Sequence, residues 1–262
     1  MKKIHPTSIV GKDVEIEEDV EIGPFTVIEG KVRIGKGTKI GSRVTIKGNT
    51  VIGEGCKIYD GAVIGEEPQH LNYKGEDTKV FIGNGVIIRE YVTIHRGTSI
   101  GIEKTIVEDG VMLMAYSHVA HDCIVRRGVI IANCSALAGH VEVGEYTFIG
   151  GLSAVQQWRK IGRYCMIGGL SGVTKDIPPF TRASGQHAKL YGINTKGLKN
   201  RGIDDNVIRA LKNAYIEIFK GNKPFKESIK KVRSEFGNIK EVEEFLNFIE
   251  NSKIGVPKDA KE

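Results

Sequence analysis

The chain has 262 residues, 40% hydrophobic and 27% charged, which is ordinary for a globular protein and enough for one large domain or two modest ones. Its net charge of +6 suits acidic partners, but no nucleic-acid motif accompanies it. No run reaches the roughly 18 uninterrupted apolar residues of a membrane span. Met1-Lys2-Lys3 opens on a charged repeat rather than a signal-peptide core, so a cytoplasmic location is expected.

From the first residues, every sixth position is aliphatic: Ile4, Val10, Ile16, Ile22, Ile28, Ile34, Ile40, Ile46, Ile52, Ile58 and Ile64. The period breaks at residues 65–79, a polar stretch with Pro68 and Gly75. It resumes at Ile82, Ile88, Ile94 and Ile100, slips by one residue, and then runs from Val107 to Val173 without exception. Neither a helix nor a simple strand has a period of six. Hexapeptide repetition is the signature of a parallel β-helix in which three units make a triangular coil, here about nine coils. Two residues before the aliphatics stand smaller side chains, among them Ser117, Cys123, Ser135, Thr147, Ser153, Cys165 and Ser171. A narrow interior takes one large and one small residue per face. Cys56, Cys123 and Cys165 occupy this small slot and read as buried thiols in a reducing compartment, with no CxxC pair among the four cysteines. The interruption at 65–79 is a candidate functional loop.

Pro178-Pro179 should stop any further coil. Helical periodicity follows. Asp204 or Asp205 can cap a helix ending at Gly221, Pro224 opens a second closed by Gly237, and a third spans about 239–251. The expected architecture is mostly β: a left-handed parallel β-helix over 1–180 and a C-terminal helical domain over 181–262, capping the solenoid.

His95, His118, His121 and His140 miss both inward slots, so all four should project outward. Residues 18 apart stack on successive coils, which brings His121 and His140 onto one face. An outward cluster of imidazoles implies a cleft walled by a second subunit. Two chemistries fit: acyl transfer, with a histidine as general base and backbone N–H groups holding an oxyanion, or a three-histidine zinc site of the γ-carbonic anhydrase kind. The spacing of His118 and His121 does not match the wider pair of that zinc family. A trimeric scaffold without catalysis is a third reading.

Five strings narrow the choice: IHRGT at 94–98, AHDC at 120–123, LAGH at 137–140, GLKNRG at 197–202 and NAY at 213–215. Together, in this order and across about residues 4–250, they resemble the acyl-[acyl-carrier-protein]–UDP-N-acetylglucosamine O-acyltransferases, which open lipid A synthesis. The resemblance implies a homotrimer without cofactor or metal, acting on a 3-hydroxyacyl-carrier protein and a UDP-amino sugar. It implies His121 as general base, Asp122 as its carboxylate partner and the Gly139 N–H as oxyanion donor. It further implies Gln69, His70, Asn72, His95, His118, His140, Gln157, Gly169, His187, Asn194 and Arg201 as substrate contacts, with Gly169 leaving room for a longer acyl chain. The chain departs from the family pattern at Gln156, where a histidine is common, at His70 and Asn72 in the loop, and at Lys196 and Asn200 near the nucleotide. The alternative acceptor is the 3-amino analogue of the sugar, which would give an amide.

Overall fold

The computed structural model describes residues 2–260. Short strands, mostly of two residues, stack in parallel into three sheets that form the walls of a left-handed prism. Sheet A runs from Lys3–Ile4 to Met166–Ile167 and beyond, sheet B from Ile9–Val10 to Gly172–Val173, and sheet C from Glu15–Ile16 to Lys160–Ile161. The register is the six-residue period made physical: Val119 pairs with Leu137, Leu137 with Val155 and Val155 with Val173. These aliphatics are almost wholly buried. Each contributes about 1.5–3 kcal/mol of burial. The small slot is filled as expected, and several of its hydroxyls satisfy corner carbonyls, though Ser117 Oγ is buried without a partner among the described residues. Ser135 Oγ donates to Gly150 O and Thr147 Oγ1 to Gly162 O, both at 2.8 Å. Cys123 and Cys165 are buried there, and burial pushes both thiols up to about 12. Cys56 is likewise buried.

Each corner needs a left-handed residue, and between sheets B and C that position is filled by Asp122 (φ 58°), His140 (φ 62°) and Trp158 (φ 64°) in successive coils. Two departures from the plain coil occur at the same edge. Ile64 pairs with Ile94, 30 residues on, which is 12 more than the usual 18. Ile94 pairs with Val119, 25 residues on, which is seven more. The excess residues form two loops, at 67–78 and 96–103, stacked directly below the corner that carries His121 and Asp122.

The second loop corrects the repeat reading. A seven-residue insertion is one hexad plus one residue, so it mimics a repeat followed by a slip; Ile100 lies in the loop and is 62% exposed. Pro178-Pro179 do not stop the stack either. Ile177 bridges Ile161, and Thr181–Ser184 adds to sheet A in parallel with Met166–Ile167. The prolines sit in the corner between them, where no ladder N–H is required of them. Thr181–Ser184 then forms an antiparallel hairpin with Lys189–Ile193.

Four helices follow: α1 (Thr195–Asn200), α2 (Asp205–Lys220), α3 (Phe225–Phe236) and α4 (Lys240–Asn251). The last three match the sequence reading, and Asp204 caps α2 by accepting from the Asn206 N–H at 2.7 Å. α2 packs on Lys189–Ile193, burying Ile208, Leu211, Tyr215 and Ile218, so the helices cover the end of the prism. A forked Arg163–Glu244 ion pair at 2.7 Å ties α4 to its flank.

Candidate functional site

The edge between sheets B and C carries the site. His121 and Asp122 occupy its corner, with Gly139 stacked on His121 and His140 on Asp122 in the next coil. The His121 ring lies so close over Gly139 that a Cβ there would fall 2.6 Å from Nε2, so this position accepts only glycine without displacing the imidazole. His121 Nδ1 is 2.9 Å from Asp122 Oδ2.

Asp122 is held from several sides. Thr98 gives it both its backbone N–H and its hydroxyl, the latter at 2.6 Å, and the Ile102 N–H donates at 3.0 Å. A side chain on Gly101 would occupy the space of this carboxylate. Burial by itself would raise the Asp122 pKa, but the hydrogen bonds from His121 and Thr98 outweigh it and hold the carboxyl below its usual range. An ionised carboxylate only accepts, so Nδ1 of His121 carries a proton, and in the neutral imidazole Nε2 is the nitrogen with the lone pair. Among the described residues neither Nε2 of His121 nor the Gly139 N–H has a protein hydrogen-bond partner.

The other histidines gather around this pair. The His140 ring meets His121 edge-on at 4.9 Å between centroids and stacks on Trp158 at 3.6 Å. His70, from the 67–78 loop, meets the other side of His121 at 5.4 Å. His118 and His95 form a second edge-on pair at 5.1 Å, and His118 Nδ1 lies 2.7 Å from Thr93 Oγ1. Burial, followed by the neighbouring His95 and His121, pushes His118 down to about 4, and burial lowers His95 and His140 as well. The four histidines, expected to project outward toward a wall supplied by a second subunit, are already covered in part by the chain's own loops. His95 and His121 are 6% and 4% exposed, because the two loops fold back over the edge within the same chain. They do point out of the prism, with His70 of the 67–78 loop against His121.

His121, Asp122 and His140 offer ligand atoms within 4.8 Å of one another, the geometry of a possible metal site. Their chemistry argues against it. A carboxylate has about four lone-pair positions, and Thr98, Ile102 and His121 occupy those of Asp122.

The remaining candidates divide. Gln157 stands one coil above Gly139 on the same edge, and Gln69 and Asn72 lie on the loop beside His70; all three are exposed. Gly169 is at the corner between sheets A and B, where a side chain would meet the backbone of Gly151, its O at 3.2 Å and its N at 3.8 Å. His187 is exposed at the turn of the terminal hairpin. Asn194 and Arg201 belong to the third corner, between sheets C and A. Asn194 caps α1 by accepting from the Gly197 N–H and donates to Tyr164 O, and the Arg201 guanidinium lies 4.2 Å over the Tyr146 ring. One chain therefore does not bring Asn194 and Arg201 together with His121. Sequence reasoning missed Thr98, Gly101 and Trp158. Only the IHRGT string, which contains Thr98, hinted at the first.

A left-handed hexapeptide prism with a histidine–carboxylate pair on its edge defines a hexapeptide acyltransferase. Residues 31–66 and 104–139 match the model for bacterial transferase hexapeptide repeats, and residues 176–256 match that for domain 2 of UDP N-acetylglucosamine O-acyltransferase. The acyl-[acyl-carrier-protein]–UDP-N-acetylglucosamine O-acyltransferase of Aquifex aeolicus is 68% identical over 99% of this chain and 100% of its own length. That of a Sulfurihydrogenibium species is 58% identical over 99% and 96%. Among solved structures, the UDP-N-acetylglucosamine acyltransferase of Bacteroides fragilis superposes with a TM-score of 0.95 at 36% identity, covering 97% of this chain and all of that one. The chain belongs to the acyl-[acyl-carrier-protein]–UDP-N-acetylglucosamine O-acyltransferase family.

Proposed function

We propose that this enzyme transfers a 3-hydroxyacyl group from acyl carrier protein to the 3-hydroxyl of UDP-N-acetylglucosamine, the opening step of lipid A synthesis, with His121 as general base. The observation that carries the reading is the 2.9 Å contact of His121 Nδ1 with the Asp122 carboxylate, which leaves Nε2 and the nearby Gly139 N–H without a protein partner among the described residues. In this mechanism Nε2 takes the proton of the sugar hydroxyl as its oxygen attacks the thioester carbonyl. The Gly139 N–H holds the resulting oxyanion. Collapse of the tetrahedral intermediate breaks the C–S bond, and the departing thiolate recovers the proton from the imidazolium. Asp122 keeps the ring oriented and stabilises its cation.

Gln69, His70, Asn72, His95, His118, His140 and Gln157 surround the acceptor in this reading, and Gly169 and His187 line the acyl path. Asn194 and Arg201, one prism face away from His121, reach the nucleotide if they come from a neighbouring copy. A homotrimer supplies that arrangement. A second feature supports it. The outward positions of sheet A form an apolar column, Ile87, Met112, Ile130, Phe148 and Met166, in direct register. Such a column is a suitable wall for both a partner and a fatty chain. Among the described residues no helix is long and apolar enough to cross a membrane; action in the cytoplasm agrees with the carrier-protein donor.

The decisive experiment is His121→Ala, scored by the mass of the acylated sugar. Turnover is expected to fall by about two to four orders of magnitude with UDP-N-acetylglucosamine binding kept. Wild-type turnover by the folded variant would end the mechanism, and acylation of only the 3-amino sugar would change the acceptor.

A further inference from the structure

The 67–78 loop covers His121, and the residue that holds this loop has no part in the chemistry above. Arg96 leaves the end of a sheet B strand with its side chain 13% exposed. Its Nε donates to the Tyr73 hydroxyl at 2.9 Å, one Nη donates to Gly65 O at 2.9 Å, and the other reaches Glu67 Oε1 at 3.3 Å. Tyr73 in turn donates to Glu76 O at 2.8 Å, and Glu76 accepts from Ser99 Oγ at 2.9 Å. Room for the guanidinium comes from Gly48, two coils below, where a Cβ would lie 3.1 Å from it. The same short segment holds the catalytic carboxylate, since Thr98 and Ile102 are the donors to Asp122.

We propose that Arg96 is a positioning residue for acyl transfer: it locks the loop bearing Gln69, His70 and Asn72 over the base and links that loop to the carboxylate behind it. The proposal rests on the reading of His121 given above. Its physical basis is the planar fork of arginine, which satisfies a phenol, a carbonyl and a carboxylate at once. Of these the Glu67 contact matters least, because Glu67 is largely exposed. The two bonds to Tyr73 and Gly65 fix where the loop begins and where it turns. With them broken, the loop keeps the Ser99–Glu76 tie and the exposed contacts of Asp77 with Asn49 and Lys31, none of which touches residues 67–73, and His70 loses its fixed place against His121.

The test combines kinetics with amide hydrogen exchange on Arg96→Ala, Arg96→Lys and Tyr73→Phe. Transfer is measured from a 3-hydroxyacyl-carrier protein to UDP-N-acetylglucosamine, and exchange is followed over residues 67–78 without ligand. In Arg96→Ala the KM for the nucleotide sugar is expected to rise about ten- to a hundredfold, the effect of losing charge-assisted hydrogen bonds. Its kcat should stay within about tenfold, with an unshifted pH profile, because the base itself is intact. Loop exchange should accelerate. Arg96→Lys should restore little, and Tyr73→Phe should move KM and exchange the same way by less. Unchanged loop exchange in Arg96→Ala, or accelerated exchange with an unchanged KM, would overturn the proposal. If Arg96→Ala fails to fold, Tyr73→Phe decides, since it deletes one hydroxyl; wild-type KM and exchange there would also overturn it. His121→Ala run in parallel separates the two readings: activity in that variant defeats the general base, while loop exchange still reports on Arg96.

Discussion

Gly139→Ala tests the site at its tightest point. The backbone of Gly139 is not in the left-handed region, so alanine brings no conformational penalty of its own; the effect is steric. The new methyl would stand 2.6 Å from Nε2 and 3.0 Å from Nδ1 of His121. Carbon needs about 3.5 Å, so the ring must retreat by about 1 Å. Its bond to Asp122, now 2.9 Å, cannot keep its geometry through a shift of that size. A displacement of that size at the reacting group costs about a hundredfold in rate. The overpacking itself costs about 1–3 kcal/mol. At about 2–4 °C per kcal/mol, the melting transition should drop by several degrees. Steady-state kinetics with the nucleotide sugar, beside calorimetry on the same preparation, measure both. The expected result is a large fall in kcat with KM little changed. Wild-type kcat in a folded Gly139→Ala protein would refute the claim that His121 is seated on this glycine.

Two further outcomes are expected. His118 titrates near 4 in the folded protein against an ordinary 6.5, so the unfolded chain binds the extra proton and stability falls as pH drops from about 6.5 to 4. His118→Gln should flatten that part of a melting-temperature profile; a curve parallel to the wild type would contradict the burial argument. If the proposed trimer packs on the apolar column of sheet A, Phe148→Glu in its middle should give monomers in sedimentation equilibrium and abolish transfer, since a buried unpaired charge costs several kcal/mol. Monomers with full turnover would remove the shared cleft.

The prism was legible because its interior obeys one arithmetic rule, and residues such as Val119, Leu137 and Val155 show it without tertiary information. The helices were legible for the same reason at a different period, with Asp204 and Gly221 marking the bounds of α2. Local patterns said less about what folds back. Ile100 fitted the period by coincidence of a seven-residue insertion, and nothing in the sequence around His121 says that two loops bury it. The pairing of Thr98 with Asp122 joins residues 24 apart in the chain, across an insertion whose length hides their adjacency. Nor does any local pattern show that the Asn194 side chain caps α1 and donates to Tyr164 O. α1 itself, six residues long, is too short to show a period.

The stacking interval of 18 residues has a consequence for how such a chain can change its length. A gain or loss of 18 residues raises or lowers everything above it by one layer of about 4.8 Å and leaves every side chain facing the same way. A change of one residue inside a strand instead turns inward aliphatics outward, since neighbouring side chains take opposite faces. Lengths that are not multiples of the coil are therefore tolerable only at corners, and this chain has put its 12 and its seven extra residues at the same one. That edge is where the solenoid is free to vary, and it is also the edge that bears His121. Loop length and composition can thus change there without disturbing a single layer of the ladder on which His121 is mounted, which on the proposed mechanism leaves the base in place while the surroundings of the acceptor are rebuilt.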